Sequence, residues 1–239
     1  MKKAEKAFQN QIVTRLVLSI NRSESAEKAL RTAQLAIQYK SSGELHVVGV
    51  ELSGNPTAAP FSYFREAFSL LKKHAIPTTI HVGEVPNSKV LSSKCCCDRD
   101  EFQKCRDIQD ILDFRPDRFG HCLFLNDADL EVVKQMHIPI EVCPTSNLMT
   151  LGIQSLSEHP ILKKIEGVIP FSVNTDDTAL FCVSLSQEIA SVAKELQWSK
   201  EEVISFARGC VCQVLEKDPA VVGFLQGKVE QFANNLNLN

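Results

Sequence analysis

Four polar clusters in this chain combine side chains that bind metals or transfer protons. They are His81-Val82-Gly83-Glu84, Arg118-Phe119-Gly120-His121, Cys143-Pro144-Thr145-Ser146-Asn147 and Asn174-Thr175-Asp176-Asp177. Each cluster follows a short hydrophobic segment, and each is followed by a helical pattern. In a parallel barrel the carboxyl ends of the strands meet at one face, and that face carries the active site. The pattern therefore predicts a parallel α/β barrel with its site at the strand ends.

His81 and Asp176 are the two residues that we predict as metal ligands. Neutral imidazole and carboxylate oxygen both suit zinc. A single histidine at a strand end is more often structural, and adjacent acidic residues such as Asp176 and Asp177 are more often solvated or capping. The metal prediction therefore depends on the two ligand types lying on the ends of different strands.

Glu84 and His121 are candidates for proton transfer. Glu84 lies three residues after His81, and a proton donor there needs a pKa raised by burial or by a neighbouring negative charge. The alternative is an ordinary loop or helix-start carboxylate. His121 could assist a metal-bound water, and its alternative is a histidine packed in the core.

Two further segments have weaker signals. Gly54, in Ser53-Gly54-Asn55-Pro56, permits a close approach between backbone and ligand, although the following proline equally favours a simple turn. The cluster that begins at Cys143 lacks metal-ligand spacing, and a strand followed by a polar turn is its plainer interpretation. The remaining histidines, for which we predict structural roles, are His46, His74, His137 and His159.

Composition limits the class of protein. The chain has 239 residues, 44% of them hydrophobic and 23% charged, which suits one globular domain over residues 1–239. The net charge of −3 gives no footprint for nucleic acid or an anionic membrane. No apolar run is long enough for a membrane span, and the first residues lack the apolar core of a signal peptide. With nine cysteines, an odd number, we expect reduced thiols and a cytoplasmic location.

The elements alternate between strand and helix. The strands are predicted at 12–20, 45–52, the segment into His81, 117–120, 138–143 and 168–173. The helices are predicted at 26–37, 61–74, 108–114, 126–136 and 160–166, and the chain after Asp177 is predicted to be helical. This alternation predicts a parallel sheet with helices outside it. Residues 88–107 interrupt the pattern as a polar, cysteine-rich insertion.

The order of the four clusters resembles the adenosine/AMP deaminase family. The resemblance covers roughly residues 10–215, and it is specific because several short motifs occur in the right order. Two segments, 52–56 (Leu-Ser-Gly-Asn-Pro) and 83–87 (Gly-Glu-Val-Pro-Asn), are similar to the adenosine deaminase-like branch. Members of that branch remove methylamine from N6-methyl-AMP.

The resemblance implies a TIM-type (β/α)₈ barrel with one catalytic zinc. His81 and Asp176 would be zinc ligands. Glu84 would protonate the purine nitrogen N1, and His121 would orient the zinc-bound water and help to deprotonate it. Asp177 would form a hydrogen bond with that water or with the new hydroxyl group on C6. The backbone of Gly54 would meet the purine ring.

The chain departs from the family pattern in its metal ligands and in its number of strands. The family's first strand carries His-x-His, which supplies two zinc ligands, and no His-x-His occurs here. We count about six of eight strands, so we expect an N-terminally truncated, incomplete barrel. Such a barrel exposes two sheet edges, through which self-association would occur.

The expected function is zinc-dependent deamination of a purine nucleoside or nucleotide at C6, with N6-methyl-AMP converted to IMP and methylamine. One alternative is adenosine deamination to inosine. The other is a catalytically impaired remnant that acts by binding a partner or a nucleotide.

Overall fold

A computed structural model of the chain describes residues 2–8, 12–43, 46–86 and 106–235. The insertion predicted at 88–107 therefore lies outside the described residues, apart from Arg106 and Asp107. The chain divides into two compact units. The first comprises residues 1–81, 85–117 and 215–221, and the second comprises 82–84, 118–214 and 222–239. The single domain predicted over residues 1–239 stays a prediction.

The first unit contains three parallel strands in sequential order, because β1 pairs with β2 and β2 pairs with β3. Its elements are α1 Lys2–Ala7, β1 Leu16–Asn21, α2 Ala26–Ser42, β2 Val47–Ser53, a 3₁₀ turn Phe61–Phe64, α3 Arg65–Lys73, β3 Thr78–Val82 and α4 Asp107–Phe114. Phe61, Phe68 and Phe114 form an aromatic core with ring centroids 5.1 to 5.9 Å apart. This core packs α3 and α4 together.

The second unit repeats the arrangement with three more parallel strands, in which β5 pairs with both β4 and β6. Its elements are β4 Arg118–His121, α5 Asp127–Met136, β5 Ile140–Val142, α6 Pro144–Leu151, a 3₁₀ turn Leu156–Glu158, α7 Leu162–Ile165, β6 Phe171–Val173, α8 Thr178–Phe181, α9 Leu185–Glu195, α10 Lys200–Cys212 and most of α11 Pro219–Asn235. The prediction of a parallel α/β fold with six strands is confirmed.

Helix caps account for several of the element starts. The Ser25 hydroxyl accepts a hydrogen bond from Lys28 N at 3.2 Å, and Asn126 Oδ1 accepts one from Asp129 N at 2.9 Å. Ser199 and Glu202 form a reciprocal capping box at the start of α10. Each satisfies backbone donors that the first helical turn leaves without an intrahelical partner. The sequence predicts a cap at Asn126 and the capping box of Ser199 and Glu202, and both are confirmed. Of the two serines that it offers as caps for α2, Ser23 and Ser25, the structure selects Ser25.

Two strands begin later than predicted because a proline precedes them. β5 starts at Ile140, after Pro139, and β6 starts at Phe171, after Pro170. Proline has no N–H to donate to a strand ladder. The carbonyl oxygen of a proline can still accept, and Pro170 O accepts a hydrogen bond from Ile140 N at 2.9 Å. β1 also begins later than predicted, at Leu16. Just before it, the backbone N–H of Thr14 donates to the side chain of Glu5, at 2.8 Å, and not to a neighbouring strand.

Candidate active site

His81 lies in the first unit, on β3 immediately after the buried residues Thr78, Thr79 and Ile80. The side chain of His81 is half-buried. Its carbonyl oxygen accepts a hydrogen bond from Arg22 Nη2 at 3.1 Å. Arg22 is fully buried and is paired with Asp107 at 3.1 Å. A buried ion pair therefore holds the backbone of the predicted ligand at the strand end.

Gly54, directly after β2, has a conformation that only glycine adopts readily. Its φ is +85°, and a Cβ built on it would lie 2.5 Å from Asn21 Oδ1. The glycine thus permits a close approach, and in this structure the approaching group is the side chain of Asn21. Its predicted contact with the purine ring stays a prediction.

Glu84 and His121 lie close together in the second unit. The loop that carries Glu84 is held against the end of β4, because Cys122 N donates to Val82 O at 2.9 Å and Phe124 N donates to Gly83 O at 2.7 Å. These bonds bring a carboxylate oxygen of Glu84 within 4.8 Å of a ring nitrogen of His121. The two side chains are therefore close enough to act on the same bound substrate.

A second group joins three strand ends of the second unit. A ring nitrogen of His121 after β4, the sulfur of Cys143 after β5 and a carboxylate oxygen of Asp176 after β6 all lie within 4.8 Å of one another. The Ser146 hydroxyl donates to Asp176 Oδ2 at 2.8 Å and fixes this carboxylate. The sequence did not predict Cys143 here, because its spacing matches no metal motif. Its position at the end of a strand was the available signal.

Backbone strain accompanies these strand ends. His121 and Asp176 have φ values of +61° and +53°, in the left-handed region that non-glycine residues seldom occupy. Each such residue costs on the order of 1–3 kcal/mol, and such strain clusters at functional sites. The positive φ values thus fall at the end of β4 and shortly after the end of β6.

Asp177 occupies a different position from Asp176. It lies at the N-cap of α8, but its side chain makes no capping hydrogen bond. Its carboxylate belongs to no group of three metal-binding donors within 4.8 Å among the residues that the structure describes. The two adjacent aspartates therefore have different surroundings, and the different roles predicted for them stay predictions.

The segment 143–147 is a helix start and not the polar turn that we expected. Pro144 opens α6, where its missing N–H costs nothing. Glu188, on α9, accepts a hydrogen bond from Thr145 N at 3.0 Å and so caps α6 from another element. Burial raises the pKa of Glu188. The sequence carries no local sign of this long-range cap.

His159 and Asn147 are further polar residues that the sequence did not assign to the site. His159 Nε2 lies 3.2 Å from Asn147 Oδ1, and Asn147 Nδ2 lies 3.1 Å from His121 Nδ1. All three side chains are buried. Burial, and secondly the nearby His121, lower the pKa of His159 to about 4. His159 therefore lies next to the candidate site, where its ring contacts the side chain of Asn147.

The donor chemistry fits zinc. Imidazole nitrogen, carboxylate oxygen and thiolate sulfur are all zinc ligands. Burial, followed by the Asp176 carboxylate, raises the pKa of the Cys143 thiol, and Cys143 is not one of the predicted ligands. Among the predicted residues, His81 and Asp176 offer the right ligand atoms. They are two ligands, whereas catalytic zinc sites normally have three from the protein.

Comparison with known proteins decides the family. Residues 1–218 match the family model described as adenosine deaminase. The chain belongs to the adenosine deaminase family. It is 36% identical over 207 residues to the N6-mAMP deaminase of Arabidopsis thaliana, and the match covers 87% of this chain and 53% of that protein. The chain thus spans about half the length of the curated relatives it matches.

Solved structures of the family show the same fold. The apo structure of the N6-methyl-AMP deaminase from Arabidopsis thaliana superposes with a TM-score of 0.80 and 34% identity, covering 92% of this chain and 59% of that one. Arabidopsis ADAL complexed with IMP also gives a TM-score of 0.80, at 33% identity, over 92% and 59% of the two chains. This chain therefore has the parallel α/β fold of the TIM-barrel deaminases that it matches, and its family consists of purine deaminases.

Proposed function

We propose that the protein removes the amino substituent from C6 of a purine nucleotide, with N6-methyl-AMP and water as reactants and IMP and methylamine as products. The observation that carries this proposal is the convergence of Glu84, His121 and Asp176 in the second unit, at the ends of parallel strands. The preference for the methylated nucleotide is supported by the relatives, which include an N6-mAMP deaminase and a complex with IMP.

The proposed metal ligands are His81 and Asp176. Zinc, when bound, supplies a coordinated water whose pKa is lowered toward neutrality. Ser146 orients the Asp176 carboxylate through its hydrogen bond of 2.8 Å, and the bond from Arg22 holds the backbone of His81. Partners of this kind commonly affect metal affinity by about 10–100-fold.

The remaining residues would act on the purine and the attacking water. The oxygen of water adds to C6, one of its protons reaches N1, and the other leaves with the amine. Glu84 would deliver the proton to N1, and His121 would hold the attacking oxygen. Asp177 would form a hydrogen bond with that oxygen, and the backbone of Gly54 would lie against the purine ring. General acid catalysis of this type typically contributes about 10²–10⁴-fold.

The test is to measure zinc content and products with the purified chain. N6-methyl-AMP and adenosine are supplied separately, and IMP, inosine, methylamine and ammonia are quantified. We expect bound zinc, equal amounts of IMP and methylamine, and slower formation of inosine from adenosine. Stoichiometric zinc without consumption of either substrate would refute the proposed reaction. Faster consumption of adenosine would reassign the substrate.

A second candidate function is nucleotide binding without turnover. The small number of candidate ligands favours it, since His81 and Asp176 are two, whereas catalytic zinc sites normally have three from the protein. Calorimetric titration with IMP separates the two functions. Binding of IMP by a chain that holds no zinc and forms no product would support this candidate, whereas measurable turnover excludes it.

A further inference from the structure

Three buried side chains form a hydrogen-bonded row behind the candidate site in the second unit. His159, Asn147 and His121 are 6%, 1% and 2% exposed. We infer that Asn147 and His159 are positioning residues that fix neutral His121 as its Nε2–H tautomer. The functional consequence of this tautomer rests on the proposed deamination. The tautomer itself follows only from which groups in the row donate hydrogen bonds and which accept them.

The row begins at donors whose direction cannot change. The backbone N–H groups of Leu162 and Ile161 point to His159 Nδ1, at N···N distances of 3.3 and 3.5 Å. A peptide N–H only donates, so Nδ1 of His159 must carry a lone pair. A neutral imidazole with its lone pair on Nδ1 carries its proton on Nε2. The start of α7 therefore sets the tautomer of His159.

The same polarity passes through Asn147. His159 Nε2–H donates to Asn147 Oδ1 at 3.2 Å, which fixes the amide with its nitrogen on the opposite side. That nitrogen can only donate, and it lies 3.1 Å from His121 Nδ1. Nδ1 of His121 is therefore an acceptor, and the proton of the neutral ring is on Nε2. The opposite tautomer would place two N–H groups against each other in a buried site.

This tautomer narrows what His121 can do in the proposed reaction. A neutral ring with its proton on Nε2 and its Nδ1 lone pair engaged by Asn147 has no free basic nitrogen. It can donate a hydrogen bond from Nε2 to an oxygen. His121 would therefore orient the attacking oxygen by donation, and it would not remove the proton of the water. This role differs from the help in deprotonation that the family resemblance implies for His121, and the experiment below separates the two.

An isosteric substitution reverses the polarity of the row. Asn147→Asp replaces the amide nitrogen by a second acceptor oxygen, so that His121 must donate from Nδ1. Asn126→Asp is the matched control, because it makes the same chemical change at the exposed N-cap of α5, where aspartate caps as well as asparagine.

The tautomer can be read directly by two-bond ¹⁵N–¹H correlation spectra of the chain with ¹⁵N-labelled histidine. Spectra are recorded at about pH 8.5, where imidazoles with ordinary pKa values near 6.5 are neutral. The chain has six histidines, and His121→Gln identifies the signal of His121 by its loss. We expect the Nε2–H pattern for His121 in the unsubstituted chain and in Asn126→Asp. In Asn147→Asp we expect a change to Nδ1 protonation.

An Nδ1–H pattern for His121 in the unsubstituted chain overturns the inference, and so does an unchanged pattern in folded Asn147→Asp. If that variant does not fold, the spectrum of the unsubstituted chain decides alone. The readout is independent of turnover. If the chain shows the expected tautomer but forms no product, the proposed function is wrong and this inference stands. If the chain forms product but His121 shows the Nδ1–H pattern, the inference is wrong and the proposed function stands.

Discussion

At the scale of residues, Asp176 and Asp177 show how two identical neighbours acquire different surroundings. Asp176 adopts a positive φ and accepts a hydrogen bond from Ser146, in a group with His121 and Cys143. Asp177 begins α8 without a capping bond from its side chain. Both residues lie beyond the end of β6, and the positive φ of Asp176 marks a turn of the backbone between the strand and α8.

The first prediction compares these two aspartates. Asp176→Ala should lower zinc affinity by more than about 100-fold, since removal of a ligand exceeds the 10–100-fold typical of supporting residues. Asp177→Ala should keep zinc affinity and lose rate. Zinc affinity is measured by competition with a chromophoric chelator, and turnover is measured on the same samples. Loss of zinc in Asp177→Ala with retention in Asp176→Ala would reverse the assignment.

The second prediction concerns Glu84. Glu84→Gln keeps the shape of the side chain but cannot deliver a proton, so the deamination rate should fall about 10²–10⁴-fold. Zinc content should remain unchanged because Glu84 is not a proposed ligand. Glu131→Gln, on the exposed surface of α5, makes the same change away from the site and serves as the control. A rate close to that of the unsubstituted chain would exclude Glu84 as the proton donor.

The third prediction concerns the pH dependence of stability through His159. Burial lowers its pKa from 6.5 to about 4, so below pH 6.5 the unfolded chain binds more protons than the folded chain. This difference in proton binding does not affect the free energy of unfolding above pH 6.5. It lowers the free energy of unfolding as the pH falls, by about 3 kcal/mol at pH 4. The free energy of unfolding is measured by urea titration between these pH values. His159→Gln should show a smaller loss on acidification, and an equal loss would contradict the prediction.

At the scale of elements, each strand of the second unit leads directly into residues of the candidate site. β4 ends at His121, β5 is followed by Cys143, and β6 is followed within three residues by Asp176. Helix α6 starts at once after β5, and its first turn supplies both Ser146 and Asn147. A short, well-anchored helix start therefore supports two site residues together, one for the carboxylate and one for the imidazole.

The fourth prediction tests the anchor of α6. Glu188→Ala removes the acceptor of the Thr145 N–H, and a buried donor without its partner costs about 1–3 kcal/mol. Glu188→Gln retains an acceptor oxygen and should cost less than Glu188→Ala. Urea unfolding of the three proteins gives the comparison. If Gln is as destabilising as Ala, the charge or the packing of Glu188 matters more than its hydrogen bond.

At the scale of the whole molecule, the chain has the fold of its family and spans about half the length of its relatives. No helix among the described residues is both long and apolar enough to cross a bilayer. Within the described part of the first unit, β1 pairs with β2 alone. Arg22 N donates to Ser53 O at 2.9 Å, so by alternation the N–H of Ser19 points to the opposite side of β1.

The fifth prediction is that the chain self-associates through this edge of β1. Light scattering after size exclusion should give a mass that is a multiple of 26.6 kDa. Ser19→Pro removes one outward N–H and keeps the backbone bonds to β2, although it also removes the hydrogen bond of 2.8 Å between the hydroxyls of Ser19 and Ser53, so it should shift the population toward monomer. Ser19→Ala loses the same hydroxyl but keeps the N–H, so it is the matched control. A monomer at every concentration for the unsubstituted chain would contradict this prediction.

The sequence by itself determined the order of the strands, the caps formed by residues next to a helix start, and the family. Strand ends are marked by apolar runs that give way to His81, His121 or Asp176, and caps are marked by local patterns such as Ser199 with Glu202. These are short-range signals, which is why they can be read along the chain. The order of the strand-end clusters also carried the resemblance to the deaminases, which the family match confirms.

Only the tertiary structure decided which side chains meet behind those strand ends. Cys143 joins His121 and Asp176, Glu188 caps α6 from another helix, and Asn147 links two buried histidines. Each contact joins residues that lie far apart in the chain or on different elements. No local pattern encodes such a contact, because its formation depends on the packing of whole helices and strands and on the need to satisfy every buried polar group.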